Sequence, residues 1–329
     1  MSAAPLLSVE RLTRDYGGIL GRGSLFNPAQ VRHRALDGVS FAVAEGEILG
    51  VVGESGCGKS TLARLVAALD RPTAGRVVLD GAALFDLAPR VLKARRRDVQ
   101  MVFQDPYGSL DPRQTIGRIV AEPLHLLDPR PGPRERAMLV AEMLGAVGLA
   151  PDTATLYPHQ FSGGQRQRIA VARALITAPK LVVADEPVSA LDLSIQAQVL
   201  NLILDLRQDR GTAFLFISHN LGAVQAIADR VVVMYRGRVV ESGPAGQVFA
   251  APLHPYTALL VSAEPRLADL DDPPGRRVVA QSMDPPADWA AACAFRDRCP
   301  RATERCSRDA PALRSLAPGR DAACHHPLT

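Results

Sequence analysis

Residues 48–61 read Ile48-Leu-Gly-Val-Val-Gly-Glu-Ser-Gly-Cys-Gly-Lys-Ser-Thr61. The first five form an apolar run of the length and composition of a strand buried on both faces. Gly53 then opens G-x-x-x-x-G-K-S/T, and Leu62, Leu65, Val66 and Leu69 follow at helical spacing. Strand, glycine loop and helix in that order make a phosphate cradle. The glycines let backbone N–H groups converge on phosphate oxygens, and the helix N-terminus adds positive potential. Lys59 is placed to neutralise β- and γ-phosphates, and Ser60 to hold Mg²⁺. The candidate nucleotide-binding residues here are Gly53, Ser55, Gly56, Cys57, Gly58, Lys59, Ser60 and Thr61, with Cys57 acting through its backbone.

Working outward, Leu181-Val-Val-Ala-Asp-Glu186 is a second buried-strand run, and it delivers two adjacent carboxylates at its C-terminal end. That is the edge at which α/β sheets bind ligands. Asp185 is a candidate Mg²⁺ ligand and Glu186 a candidate general base for the attacking water. An amphipathic helix follows, with Ile195, Val199, Leu202 and Leu206 on one face. Ala213–Ile217 and Val231–Tyr235 read as two more strands. The core is therefore α/β.

Between about residues 106 and 178 strand signals vanish and helical patterns dominate, over Arg134–Val147 and Ser162–Thr177. This reads as a helical subdomain inserted into the core. Phe161-Ser-Gly-Gly-Gln-Arg-Gln-Arg168 opens the second of those helices. Ser162 has the chemistry of an ordinary N-cap. Two glycines in a first turn, however, cost helix stability unless backbone must approach a ligand closely. A second phosphate-seeking helix N-terminus, Ser162, Gly163, Gly164 and Gln165, suggests a nucleotide shared across a dimer.

The length of 329 residues suits two domains, or one large domain with an appendage. No run of eighteen apolar residues is present to span a bilayer, and the first residues lack a secretory signal pattern. The expected compartment is the cytosol. A net charge of +4 does not by itself imply nucleic acid. The basic residues are 35 Arg and only three Lys (Lys59, Lys93, Lys180), a bias expected of a GC-rich genome. Against it a retained Lys59 is informative, because Arg does not replace Lys at a tight phosphate site. Gly17–Arg34 reads as a long exposed loop.

Together these motifs resemble the ATP-binding subunits of ABC transporters, from about Val9 to Ala263. In that family the phosphate loop and the Ser-Gly-Gly-Gln signature of opposite subunits sandwich one ATP. The resemblance implies further roles. Gln104, in Val-Phe-Gln-Asp-Pro, would sense Mg²⁺ and the attacking water and link to the membrane subunits. Asp192, closing Ser189-Ala-Leu-Asp192, would belong to a loop at the dimer interface. His219, in Ile-Ser-His-Asn, would contact the γ-phosphate. Glu186, His219 and Gln104 are thus the candidate catalytic residues. Tyr16 lies where the family places an adenine-stacking aromatic, with Phe26 or His33 as substitutes.

A narrower resemblance rests on Phe103-Gln-Asp-Pro-Tyr-Gly-Ser-Leu-Asp-Pro-Arg113, Glu186-Pro-Val-Ser-Ala-Leu-Asp192, His254-Pro-Tyr-Thr-Ala-Leu-Leu260 and the Cys-rich tail. These resemble the oligopeptide, dipeptide and nickel importer branch. It implies an ATPase at the cytoplasmic face of a bacterial inner membrane that powers peptide import. Its partners would be two permease subunits, a second ABC ATPase (a different chain, or a second copy) and, indirectly, a substrate-binding protein. Nickel or another small solute is the alternative cargo. A soluble ABC ATPase acting on nucleic acid is the alternative function. Against it, Lys59 and Asp185 lie only 126 positions apart, and no heptad run or basic–aromatic face is present. No nucleic-acid partner is expected. A groove beyond Gln104, with Tyr107 and Leu110 in its lining, is expected to receive a permease helix.

After residue 262 the composition shifts. Residues 263–329 carry nine prolines and four of the five cysteines. Such proline density argues for an irregular extension rather than sheet. Cys293, Cys299, Cys306 and Cys324 are separated by five, six and seventeen residues. Four thiolates can hold a [4Fe–4S] cluster or Zn²⁺. The wide spacing and Pro300 after Cys299 favour iron–sulfur; reduced structural thiols are the third reading. His325 and His326 are candidate substitutes for one ligand. Such a metal would be structural, and neither hydrolysis nor the nucleotide site is expected to need it directly.

Overall fold

The computed structural model describes residues 4–18, 31–105, 108–189, 191–264 and 291–328. The main sheet is built from the apolar runs. Strands β3 (Ile48–Val52), β6 (Val99–Val102), β7 (Leu181–Asp185), β8 (Ala213–Ile217) and β9 (Arg230–Tyr235) pair in parallel, with β3 central between β8 and β9. Their residues alternate between two cores, as a period of two requires. Ile48, Phe214, Phe216, Val182 and Val231 face one way, into a core shared with the helices of the middle segment. Leu49, Val51, Leu215, Val183 and Val232 face the other, toward α1 (Lys59–Val66) and a second sheet. Burial on both faces explains why these strands are continuously apolar rather than alternating.

The second sheet is antiparallel, in the order β2 (Val31–Val43), β1 (Leu7–Gly18), β4 (Ala74–Leu79), β5 (Ala82–Ala83). The segment read as a loop from Gly17 to Arg34 is extended at both ends. Gly18 pairs with Val31 and Tyr16 with His33 across the β1–β2 ladder. Pairing with a neighbour overrides the weak strand propensity of Gly17 and Gly18. Residues 19–30, Phe26 among them, lie outside the described residues.

No strand interrupts the described residues between β6 and β7. After the short helix α2 (Pro89–Arg95) ahead of β6, helices α3 (Ile116–Val120), α4 (Pro133–Ala146) and α5 (Gly163–Leu175) fill that segment, within the expected stretch. The first-loop helix is shorter than its pattern: α1 ends at Val66, and Leu69 is exposed beyond it. In α6 (Leu193–Arg210) the buried stripe is Val199, Leu200, Ile203 and Leu206, and Ile195 and Leu202 are only half-buried.

The C-terminal extension departs most from expectation. β10 (Arg238–Pro244) pairs with β9, β12 (Arg320–Ala322) pairs with β10, and β11 (Arg314–Ala317) pairs with β12. The chain end thus continues the main sheet. Its prolines fall outside these strands, so Arg314–Ala317 and Arg320–Ala322 keep every N–H a ladder needs. Arg320, itself buried, seals the join: its guanidinium bonds the buried Glu241 at 2.8 Å and the Ala251 carbonyl at 2.6 Å.

Candidate functional site

The phosphate loop leaves β3 at Gly53 and enters α1 at Lys59. Gly58 has φ +106°, a conformation that disfavours any side chain, and a Cβ there would meet the Ala35 carbonyl at 2.5 Å. Lys59 is buried, and its ammonium donates to the loop's own carbonyls at Gly53 (2.6 Å) and Glu54 (3.0 Å). A phosphate therefore finds the charge already aimed into the loop. Cys57 is buried and its thiol is pushed up by burial, so it stays protonated. Its carbonyl accepts from Gly237 N–H at 2.9 Å, as its expected backbone role allows. Ser55 and Gly56 are open to solvent, Ser60 is exposed at the helix start, and Thr61 is half-buried one residue on.

The two carboxylates stand beside this loop. Asp185 ends β7 and is buried, and Ser60 Oγ donates to its Oδ1 at 3.4 Å. Burial pushes this carboxyl up, against the pull of Ser60. Glu186 has φ +49°, a left-handed conformation costing a non-glycine residue about 1–2 kcal/mol. The turn is held by Glu186 N–H to the Ile217 carbonyl at 2.8 Å and by Ser189 Oγ to the Glu186 carbonyl at 3.1 Å. Gln104 Nε2 donates to Glu186 Oε2 at 3.1 Å, and His219 Nδ1 lies 3.1 Å from the same oxygen. Four segments far apart in sequence are thereby gathered at one end of the parallel strands. Strain held in place at such a point is characteristic of functional sites.

The set fits the groups expected to bind. Ser60 Oγ, Asp185 Oδ1 and the Gln104 amide supply hard oxygen donors of the kind Mg²⁺ takes. Open space over Gly56, with φ +79°, leaves room where a side chain would intrude.

The signature turn bonds within itself. Ser162 Oγ caps α5 by accepting from Gln165 N–H at 3.3 Å, and Ser162 N–H donates to Gln165 Oε1 at 3.0 Å. This reciprocal cap is the ordinary helix-start reading of Ser162. Gly164 also has a reason within the chain, since a Cβ there would meet Ile195 Cγ2 at 2.4 Å. Close packing of α5 on α6 therefore requires this glycine without any ligand. Asp192 sits exposed at the start of α6. Tyr16 is half-buried, with its hydroxyl on Asp70 at 3.2 Å and the Arg14 guanidinium 4.6 Å above its ring.

Two sequence expectations change here. Leu110 is 1% exposed and packs in the core beneath the helices, so it does not line a groove. Tyr107 lies outside the described residues. The four tail cysteines are free thiols, buried or half-buried. Burial pushes Cys293, Cys299 and Cys324 up, and each is raised further by neighbouring cysteines. Yet among the described residues no group of three or more His, Cys, Asp or Glu side chains is placed to hold a metal ion. Cys324 Sγ accepts from His326 N–H at 3.4 Å, and Cys306 Sγ lies 3.7 Å from Thr303 Oγ1. The histidines are committed elsewhere: His326 Nε2 contacts Thr303 Oγ1 at 2.8 Å and His325 Nε2 the Asp309 carbonyl at 3.0 Å. A ready-made cluster or zinc site is thus not what these side chains form.

Sequence reading missed the residues that grip the phosphate loop from outside. Tyr256 Oη, fully buried, accepts from Glu54 N–H at 2.8 Å, and Arg298 forks onto the Glu54 carboxylate. The nucleotide site therefore touches the extension. With 244 positions between Glu54 and Arg298, no spacing signal joins them.

The fold and loop define a P-loop nucleoside triphosphatase with its carboxylates at the strand ends. Comparison with known proteins narrows this. Residues 36–189 match the family described as ABC transporter, and residues 240–306 match the oligopeptide/dipeptide transporter C-terminal region. The chain is 51% identical over 322 residues to the Di/tripeptide transport ATP-binding protein DppF of Pseudomonas aeruginosa, covering 98% of this chain and 97% of that one. It is 46% identical to the putative oligopeptide transport ATP-binding protein YkfD of Bacillus subtilis, covering 89% of each. Among solved structures it resembles the dimeric bacterial ABC transporter cassette MJ0796, with 29% identity and a TM-score of 0.63, over 73% of this chain and 98% of that one. The chain belongs to the ATP-binding subunits of ABC transporters, in the branch carrying the oligopeptide/dipeptide C-terminal region, and is an ATPase of that class. No helix among its described residues is long and apolar enough to cross a membrane.

Proposed function

We propose that this chain hydrolyses ATP to power import of di- and oligopeptides through a membrane transporter. The observation that carries the reading is the Glu186 carboxylate, held between Gln104 and His219 beside the Lys59 loop. Lys59 and the loop N–H groups bind the phosphates. Glu186 accepts a proton from the attacking water, and Gln104 and His219 orient it. Mg²⁺, when bound at Ser60 and Asp185, supplies charge neutralisation on the phosphates. Tyr16 stacks on adenine. Ser162, Gly163, Gly164, Gln165 and Asp192 act on the nucleotide of a second subunit, a reading supported by the dimeric MJ0796 relative.

Peptide cargo rests on the C-terminal region and on the names of DppF and YkfD. The working assembly is two permeases and a second ATPase at the cytoplasmic face of the inner membrane. An open cleft of about 1060 Å³ between α3 and α4, rimmed by Arg118, His125, Arg130 and Arg136, is offered as the seat of a permease helix. The test is peptide uptake and ATP turnover in vesicles holding the whole complex. Peptide-stimulated turnover is expected; stimulation by nickel or another solute, with none by peptides, would overturn the cargo assignment.

The finer reading of the extension is a metal staple, iron–sulfur before zinc, which requires the four free thiols, not set as a ligand group in this structure, to close around the metal when it binds. Anaerobic purification with iron, sulfide and zinc assays decides it. A colourless, metal-free protein with a protease-resistant tail would overturn it.

A further inference from the structure

The phosphate loop carries a negative charge of its own, at Glu54, immediately before the residues that must receive a polyanion. Its carboxylate is met by the Arg298 guanidinium in a two-point fork, with both N–O distances 2.7 Å. Such paired, charge-assisted bonds fix orientation as well as charge. The guanidinium lies 5.6 Å from the Phe295 ring centre and 5.9 Å from that of Tyr235, and is largely shielded from solvent. Phe295, buried, packs edge-on against Tyr235 at 5.3 Å and against Tyr256 at 5.4 Å. Tyr256 in turn takes the Glu54 N–H. The Glu54 carbonyl receives Lys59 Nζ at 3.0 Å and Cys57 N–H at 3.2 Å. Every polar group of Glu54 is thus engaged, two of them by residues C-terminal to the ATPase motifs.

Arg298 is itself placed by the extension. It ends a short turn, Arg296–Arg298, lying between Cys293 and Cys299. Cys293 N–H donates to the Cys306 carbonyl at 2.9 Å and closes the loop that carries it. The Arg236 guanidinium, from the turn after β9, reaches the Ala294 carbonyl at 3.4 Å and pins the same loop to the core.

We propose that Arg298 is a positioning residue for ATP binding: through Glu54 it holds the phosphate loop in its binding shape and cancels the charge that would repel the triphosphate. The C-terminal extension is by this contact part of the nucleotide site. Without Arg298, the bare Glu54 carboxylate opposes the phosphates and the loop keeps only the Tyr256 bond as an outer anchor. The loss falls on nucleotide affinity, because Glu186, Gln104 and His219 are untouched.

The test uses the full-length chain, with binding of a fluorescent ATP analogue and steady-state ATP turnover. Arg298→Ala is expected to weaken binding and raise KM about tenfold, equivalent to about 1.4 kcal/mol, with kcat at saturating ATP within about twofold. Adding Glu54→Gln to that variant removes the uncompensated charge and is expected to recover most of the lost affinity. A merely structural role would not be rescued by neutralising Glu54. Native affinity in a folded Arg298→Ala protein, a fall in kcat with KM unchanged, or no rescue by Glu54→Gln overturns the proposal. If Arg298→Ala loses its melting transition, Arg298→Lys replaces it. That variant keeps the charge but not the fork, and is expected to raise KM by a smaller factor; an unchanged KM overturns the proposal.

Discussion

His219 Nδ1 and Glu186 Oε2 lie 3.1 Å apart, and the same oxygen takes the Gln104 amide at 3.1 Å. Bonded in this way, the histidine ring carries a proton on Nδ1. The glutamate is held by two neighbours from different segments, on a backbone turn that a non-glycine residue adopts only at a cost. A side chain so fixed is suited to orient one water molecule.

Glu186→Gln is expected to keep ATP and Mg²⁺ binding, since Lys59, Ser60 and Asp185 remain. Turnover should fall by about 10²–10⁴, the usual worth of general-base catalysis. Lys59→Ala should instead weaken nucleotide binding itself. Parallel binding and turnover measurements separate the two, and near-normal turnover in Glu186→Gln would remove the base from the mechanism.

Subunit sharing predicts complementation. A Ser162 variant and a Lys59 variant, each inactive alone, should regain part of their ATPase activity when mixed, because one intact composite site forms per mixed dimer. Ser162 also caps α5, so its replacement should be Thr or Asn, which retain capping ability. Two folded, demonstrably mixed proteins that stay inactive would argue against a shared site.

Gly164→Ala places a methyl group 2.4 Å from Ile195 Cγ2. Overpacking of this kind costs about 1–3 kcal/mol. The melting temperature should fall, and adding Ile195→Ala should restore part of it by vacating the space. Absence of any such recovery would mean that the glycine is needed for something other than packing on α6.

The buried His254 sets a pH dependence of stability. Its Nδ1 accepts the Tyr256 N–H at 3.0 Å, and burial lowers its pKa to about 4 from an ordinary 6.5. The folded protein therefore refuses a proton that the unfolded chain accepts. The associated stability is complete above pH 6.5 and is lost progressively as pH falls toward about 4, by up to about 3 kcal/mol. Denaturant titrations at pH 7, 6 and 5 should show this decline, and His254→Asn should flatten it. An unchanged slope in that variant would place the acid sensitivity elsewhere.

Much of this protein was legible in its sequence because the relevant signals are local. The run Ile48–Val52, the loop to Thr61 and the pair Asp185–Glu186 each carry their meaning within a few residues. Strand burial, backbone freedom and charge there depend on neighbours in the chain. Other features needed the tertiary structure. Arg314–Ala317 and Arg320–Ala322 form strands because β10 offers an edge, and nothing in their own composition demands it. The reason for Gly164 lies thirty-one positions away at Ile195, where two helices approach. The grip of Arg298 and Tyr256 on Glu54 joins the chain's end to its first motif. The strand and loop signals follow from spacing along the chain, whereas these contacts follow from packing between surfaces that only the folded chain brings together.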